Sequence, residues 1–127
     1  MEVQIQEGLK GKTILGNSDQ LKSVLVELIN NSTKALQRST RILHKSDRVI
    51  QIIAGYEDGI IIISVKDNGS GISEDLTERL FKGVVTSDMG SGMGLYISNK
   101  IIHKMGGNLK LESSDQGTTI TLEFAES

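Results

Sequence analysis

The chain has no cysteine and no proline, only two tyrosines and two phenylalanines as aromatics, and no long apolar run. Without cysteine, a disulfide scaffold and a thiolate metal site are both excluded, which fits a cytosolic setting. Fourteen Lys and Arg against sixteen Asp and Glu leave a net charge of −2, so no basic field exists for nucleic acid or an anionic membrane. No segment approaches the ~18 apolar residues of a membrane span, and no signal peptide is visible. A cytoplasmic domain making no direct membrane contact is expected, whether or not a parent protein is membrane-anchored. At 127 residues the chain reads as one domain, 1–127, able to bury roughly two-thirds of its unfolded surface. Strand-like sequence begins almost at Met1, so a piece of a larger protein is expected.

What the chain does have is glycine, 14 in all, several of them clustered at 69–94 where no linker is needed. That clustering points to backbone work rather than flexibility. Along the chain, Val3–Ile5 reads as a short strand and Thr13–Leu15 as a possible second. Asn17, Ser18 or Asp19 can cap a helix to about Leu43 whose core face is Leu21, Val24, Leu25, Leu28, Ala35 and Leu36. A second stripe, Glu27, Asn30, Asn31 and Lys34, follows the i, i+3, i+4, i+7 rule and shares one wall. It reads either as a solvated face or as a functional one. Asn30 to Thr33 are poor helix formers inside a well-patterned helix, which favours function.

Val49–Ala54 and Ile60–Lys66 form a predicted hairpin closed by residues 55–59. Alternation puts Ile61, Ile63, Val65 and Asp67 on one face, so a carboxylate ends an apolar wall. Such a group needs donors; equally, the aspartate of Asp-Asn-Gly can simply bind its own turn. Gly69 and Gly71 are expected to let the chain pass close to something flat. Ser73 caps a short predicted helix, 82–91 reads as a loop that can move, and Gly92–Met105 as a helix ended by Gly106-Gly107. A closing hairpin turns at 114–117 and sends the Thr118 hydroxyl inward. Helices on one face of a mixed, mainly antiparallel sheet give an α+β, two-layer α/β sandwich.

Three motifs stand in order: Glu27-Leu28-Ile29-Asn30-Asn31-Ser32, Asp67-Asn68-Gly69-Ser70-Gly71-Ile72 and Gly90-Ser91-Gly92-Met93-Gly94-Leu95. They resemble the asparagine box and both glycine boxes of the ATPase superfamily of gyrase, Hsp90, histidine kinases and MutL. Leu80-Phe81 with 84–87 resembles the phenylalanine box of histidine kinases, and 95–107 is similar to the helix after their second glycine box. The likeness covers nearly the whole chain and implies the Bergerat-type catalytic ATP-binding domain of a sensor histidine kinase.

The resemblance also implies roles. Asp67 accepts the adenine amino group, with Gly71 and Thr118 beside the base. Asn31 ligates Mg2+, Asn30 adjoins it, and Lys34 reaches the phosphates. The amides around Gly92 and Gly94 cradle the phosphates, and 82–91 is the ATP lid. Gly69, Ile72, Thr86, Ser87, Gly90, Met93 and Leu95 complete the nucleotide contacts. Glu27, where histidine kinases often carry asparagine, is typical of the water-activating relatives; it can activate water, orient an acceptor histidine, or stand by. Val84 and Asp88 depart from the phenylalanine-box subgroup and predict a short lid. Neither His44 nor His103, each followed by lysine, suits the acceptor, which the family usually follows with an acid. The implied partners are therefore a separate helical dimerisation and phosphoacceptor domain and a response regulator downstream. The alternatives are a same-fold ATPase or anti-sigma-type serine kinase using Glu27 as base, and a non-catalytic ATP-sensing module.

Overall fold

A computed structural model describes residues 1–14, 16–39, 44, 47–71, 78 and 93–127. In chain order the elements are β1 (Glu2–Ile5), a 3-10 turn (Glu7–Leu9), α1 (Ser18–Arg38), β2 (Ile50–Glu57), β3 (Ile60–Asp67), α2 (Met93–Lys104), β4 (Asn108–Ser114) and β5 (Gly117–Ala125). The strands form one five-stranded sheet in the order β1-β2-β3-β5-β4. β1 runs parallel to β2 and every other pair is antiparallel. The mixed, mainly antiparallel two-layer sandwich expected from the sequence is the observed fold.

Register explains the core. Tyr56, Ala54 and Ile52 lie opposite Ile61, Ile63 and Val65, which lie opposite Phe124, Leu122 and Ile120. Leu109 and Leu111 extend those rows onto β4. Directly paired residues share a face, so each apolar row crosses the sheet and meets Val24 and Leu28 of α1 and Leu95 and Ile102 of α2. The opposite face carries Ser64 against Thr121 and a Lys110–Glu123 ion pair at 2.8 Å, the polar side of an antiparallel sheet.

The Asn17 side chain caps α1 by accepting from the N–H groups of Asp19 (2.8 Å) and Gln20 (3.1 Å). Asn17→Ala is expected to cost about 1 kcal/mol in a denaturant titration without altering the slope. At the other end α1 stops at Arg38, short of the expected Leu43, because Ser39 is extended with ψ 125°. The Ala35 carbonyl, freed at this last turn, accepts from the Ser70 N–H at 3.3 Å, so the turn after β3 helps to finish the helix. Thr13 and Ile14 form no strand; the Thr13 carbonyl accepts from the Ser127 N–H and the two hydroxyls lie 2.8 Å apart. The first hairpin is tighter than expected. Residues 55–57 stay in β2, and Asp58 (φ 51°) with Gly59 (φ 81°) makes a two-residue loop of the kind that matches strand twist. The α2 helix ends as expected at Gly106 and Gly107, whose N–H groups bond to the His103 and Ile102 carbonyls.

Candidate functional site

Where the apolar rows end, the next row is polar. Asp67 of β3 lies opposite Thr118 of β5, and Thr118 lies opposite Ser113 of β4. Asp67 is 4% exposed and Thr118 5%. The Asp67 Oδ1 accepts from the Gly69 N–H at 2.8 Å, so the side chain does bind its own turn while also being buried. The Ser32 hydroxyl and the Thr118 N–H lie beside the same carboxyl and favour its charged form. Burial pushes the Asp67 carboxyl above its usual range, against those donors and the more distant Arg38 guanidinium, which pull it down. Asn68 is occupied structurally, accepting from the Val49 N–H and donating to the Asp47 carbonyl.

The flat surface approached by Gly69 and Gly71 is protein backbone. A Cβ on Gly69 would lie 2.7 Å from the Ala35 carbonyl carbon of α1. One on Gly71, at φ 75°, would lie 1.8 Å from the Ser114 carbonyl oxygen of β4. The turn is thereby clamped between α1 and β4. A cleft of about 370 Å³ opens here at the end of the sheet. It takes in Lys66, Glu112 and Thr119 of the outer face, so only its inner margin meets Asp67, Ser113 and Thr118.

On α1, Glu27 and Asn31 are half-buried, Asn30 and Lys34 exposed. Burial raises the Glu27 carboxyl above its usual range, and the Lys34 ammonium opposes this. The Glu27 Oε1 is buried, with no hydrogen-bond partner among the described residues. Gly94, in the first turn of α2, makes room for it, since a Cβ there would overlap that oxygen at 1.9 Å. The structure thus brings Glu27, Lys34 and the start of α2 together on one wall, with Asn31 on the same helix face. Ser32 links that wall to Asp67.

Leu95 is 3% exposed within the core, which leaves only its backbone to a ligand. Ile72, Thr86, Ser87, Gly90 and Gly92, the phenylalanine box and the lid lie outside the described residues, as does the side chain of Met93. His44 and His103 are exposed, His103 in the last turn of α2. Two participants, Ser32 (4% exposed) and Ser113, were not singled out by the sequence. A signal existed for Ser32: it falls four residues after Leu28 and three before Ala35, on the apolar stripe.

Among the described residues no group of three or more His, Cys, Asp or Glu could hold a metal ion by itself. A hard ion bound largely through phosphate oxygens needs only one or two protein oxygens, and the Asn31 amide is such a donor, so the residues present suit Mg2+ arriving with a nucleotide. No helix among the described residues is long and apolar enough to cross a membrane.

The chain is 36% identical over 115 residues to the C4-dicarboxylate transport sensor protein DctB of Rhizobium meliloti (strain 1021), covering 90% of this chain and 18% of DctB. It spans 14% of the two-component sensor PprA of Pseudomonas aeruginosa, so these relatives are far longer. The catalytic domain of histidine kinase ThkA, nucleotide-free, superposes with a TM-score of 0.78 at 25% identity, over 98% of this chain and 77% of that one. Full-length ShkA, solved with AMPPNP, superposes with a TM-score of 0.76 at 26% identity, over 99% of this chain and 26% of ShkA. The profile of the histidine kinase-, DNA gyrase B- and HSP90-like ATPases matches residues 16–127, and the chain belongs to that family, as a domain of the histidine kinase type.

Proposed function

We propose that residues 1–127 are the catalytic ATP-binding domain of a longer sensor kinase. It binds Mg-ATP and passes the γ-phosphoryl group to a histidine on a separate helical dimerisation and phosphoacceptor domain, from which a response regulator is charged. The observation that carries this reading is the surroundings of Asp67. A carboxylate offers about four lone-pair directions; the Gly69 N–H occupies one, and the Ser32 hydroxyl and the Thr118 N–H favour the charged form from beside it. Acceptor capacity remains in a buried site, which suits an N–H donor such as the exocyclic amine of adenine. The AMPPNP complex of ShkA supports ATP as the nucleotide.

Phosphoryl transfer asks the protein for positioning and charge neutralisation more than for covalent chemistry. Asn31 would hold Mg2+, which when bound offsets charge on the phosphate oxygens. Lys34 adds a positive charge at the same wall, and the first turn of α2 presents backbone N–H groups and a positive dipole end to anionic oxygens. A ring nitrogen of the acceptor imidazole bonds to the γ-phosphorus as the bond to the bridging oxygen breaks, ADP leaves, and the ring loses its N–H proton. The great length of the sensor relatives supports an acceptor outside this chain.

A second reading has one observation in its favour. The buried Glu27 Oε1, without a partner among the described residues, and the raised carboxyl support a role in taking a proton from water. Radioactive ATP, this domain and a helical acceptor protein separate the two. An acid-labile label on the acceptor is the expected result; phosphate release with no protein label would establish hydrolysis instead, and an acid-stable label a serine kinase.

A further inference from the structure

The two edges of the sheet differ. The outer face of β4 carries Lys110 and Glu112, and α2 packs against the strand; charge and cover of this kind blunt an edge. At β1 the apolar rows of the core run on without such cover. Val3 lies opposite Ile52 and Ile5 opposite Ala54, on the helix-bearing face, yet Val3 is 54% exposed and Ile5 73%. The backbone of this edge is also open to a further strand. The Gln6 N–H bonds to the Ala54 carbonyl, so by alternation Gln4 and Glu2 turn their backbone groups toward β2, and Val3 and Ile5 turn theirs outward.

We infer that this edge binds a second copy of itself, β1 against β1 antiparallel, with the two-fold axis at Gln4. Val3 then faces Ile5 of the second copy and Ile5 faces its Val3, each pair exchanging two backbone hydrogen bonds. The same four side chains form an apolar cluster on the helix-bearing face and cover what a single copy leaves exposed. On the outer face Gln4 meets Gln4, whose amides can each donate and accept, and Glu2 meets Gln6, a carboxylate beside an amide donor. No like charges oppose each other. Register is fixed by the outward groups: an axis at Val3 would draw in Met1, outside the strand, and an axis at Ile5 would draw in Glu7 of the 3-10 turn.

So small an interface is expected to give a dissociation constant of about 100 μM, read by sedimentation equilibrium of the whole chain. Gln4→Lys and Gln4→Glu each set like charges directly across the axis and are expected to weaken the dimer about fivefold. Gln4 is exposed, so neither change enters the core. Mixed in equal amounts, the two variants place opposite charges across the axis, and the mixture is expected to regain wild-type association. Hydrogen exchange of the Val3 and Ile5 amides is expected to slow as concentration rises, and that of the Gln4 amide to stay as it is. A chain still monomeric at millimolar concentration overturns the inference. So does a mixture that associates no better than either variant alone, or a dimer whose Val3 and Ile5 amides exchange at the monomer rate. None of these readouts involves nucleotide, so they are independent of the reading of Asp67.

Discussion

Asp67→Asn is expected to lower ATP affinity by about two orders of magnitude and to remove one pH-dependent contribution to the stability of the unliganded domain. Hydrogen bonds to charged groups contribute about 1.5–3 kcal/mol, and the asparagine amide would present a donor where the adenine amine also donates. Stability follows the opposite logic, because burial has raised the Asp67 carboxyl. The folded domain holds this proton to a higher pH than the unfolded chain. Between the two values the folded state binds more protons, so this group makes the domain less stable as pH rises through that interval, and the penalty persists above it. Asparagine removes the charge and with it this dependence on pH, while its NH2 group faces the donors that favoured the carboxylate. Nucleotide binding should run the other way with pH, weakening as acid protonates Asp67, and that acid limb should be missing from the variant. Isothermal titration and thermal melting of both proteins read all of this. Unchanged ATP affinity in Asp67→Asn would sink the nucleotide assignment.

Gly71→Ala is expected to be among the most destabilising single changes in the chain, with Tm falling by about 10 °C or more. Two costs add. An L-residue at φ 75° is strained by about 1–2 kcal/mol, and its Cβ would lie 1.8 Å from the Ser114 carbonyl oxygen. That oxygen is backbone, so no rotamer can relieve the overlap; the turn must leave β4. Gly11→Ala isolates the first cost, since Gly11 has φ 79° with nothing among the described residues within 4 Å of the added carbon. Equal melting points for the two variants would show that the clamp between the turn and β4 contributes nothing.

Alternation placed Ile61, Ile63, Val65 and Asp67 on one face, and the structure buries both ends of that set, Ile61 and Asp67. Helical spacing found the core face of α1 and the wall holding Glu27 and Lys34. The motif order identified the family on its own. The close approach expected at the turn glycines is made to backbone of the protein itself. Their neighbours are Ala35 and Ser114, more than thirty residues away in either direction, and nothing local to 69–71 announces them.

The sequence alone determined what most of the described segments would be, strand, helix, cap or turn, and which face of each would be apolar; Thr13–Ile14 and residues 55–57 are the exceptions. Those properties depend on side-chain period and on backbone preferences acting within a few residues. Tertiary structure alone decided which polar groups would meet. The early end of α1 at Arg38, the reach of Ser32 to Asp67, the seat that Gly94 makes for Glu27 and the pairing of Ser113 with Thr118 all require segments distant along the chain to pack at one register. A local pattern carries no information about that register until the apolar rows have locked together.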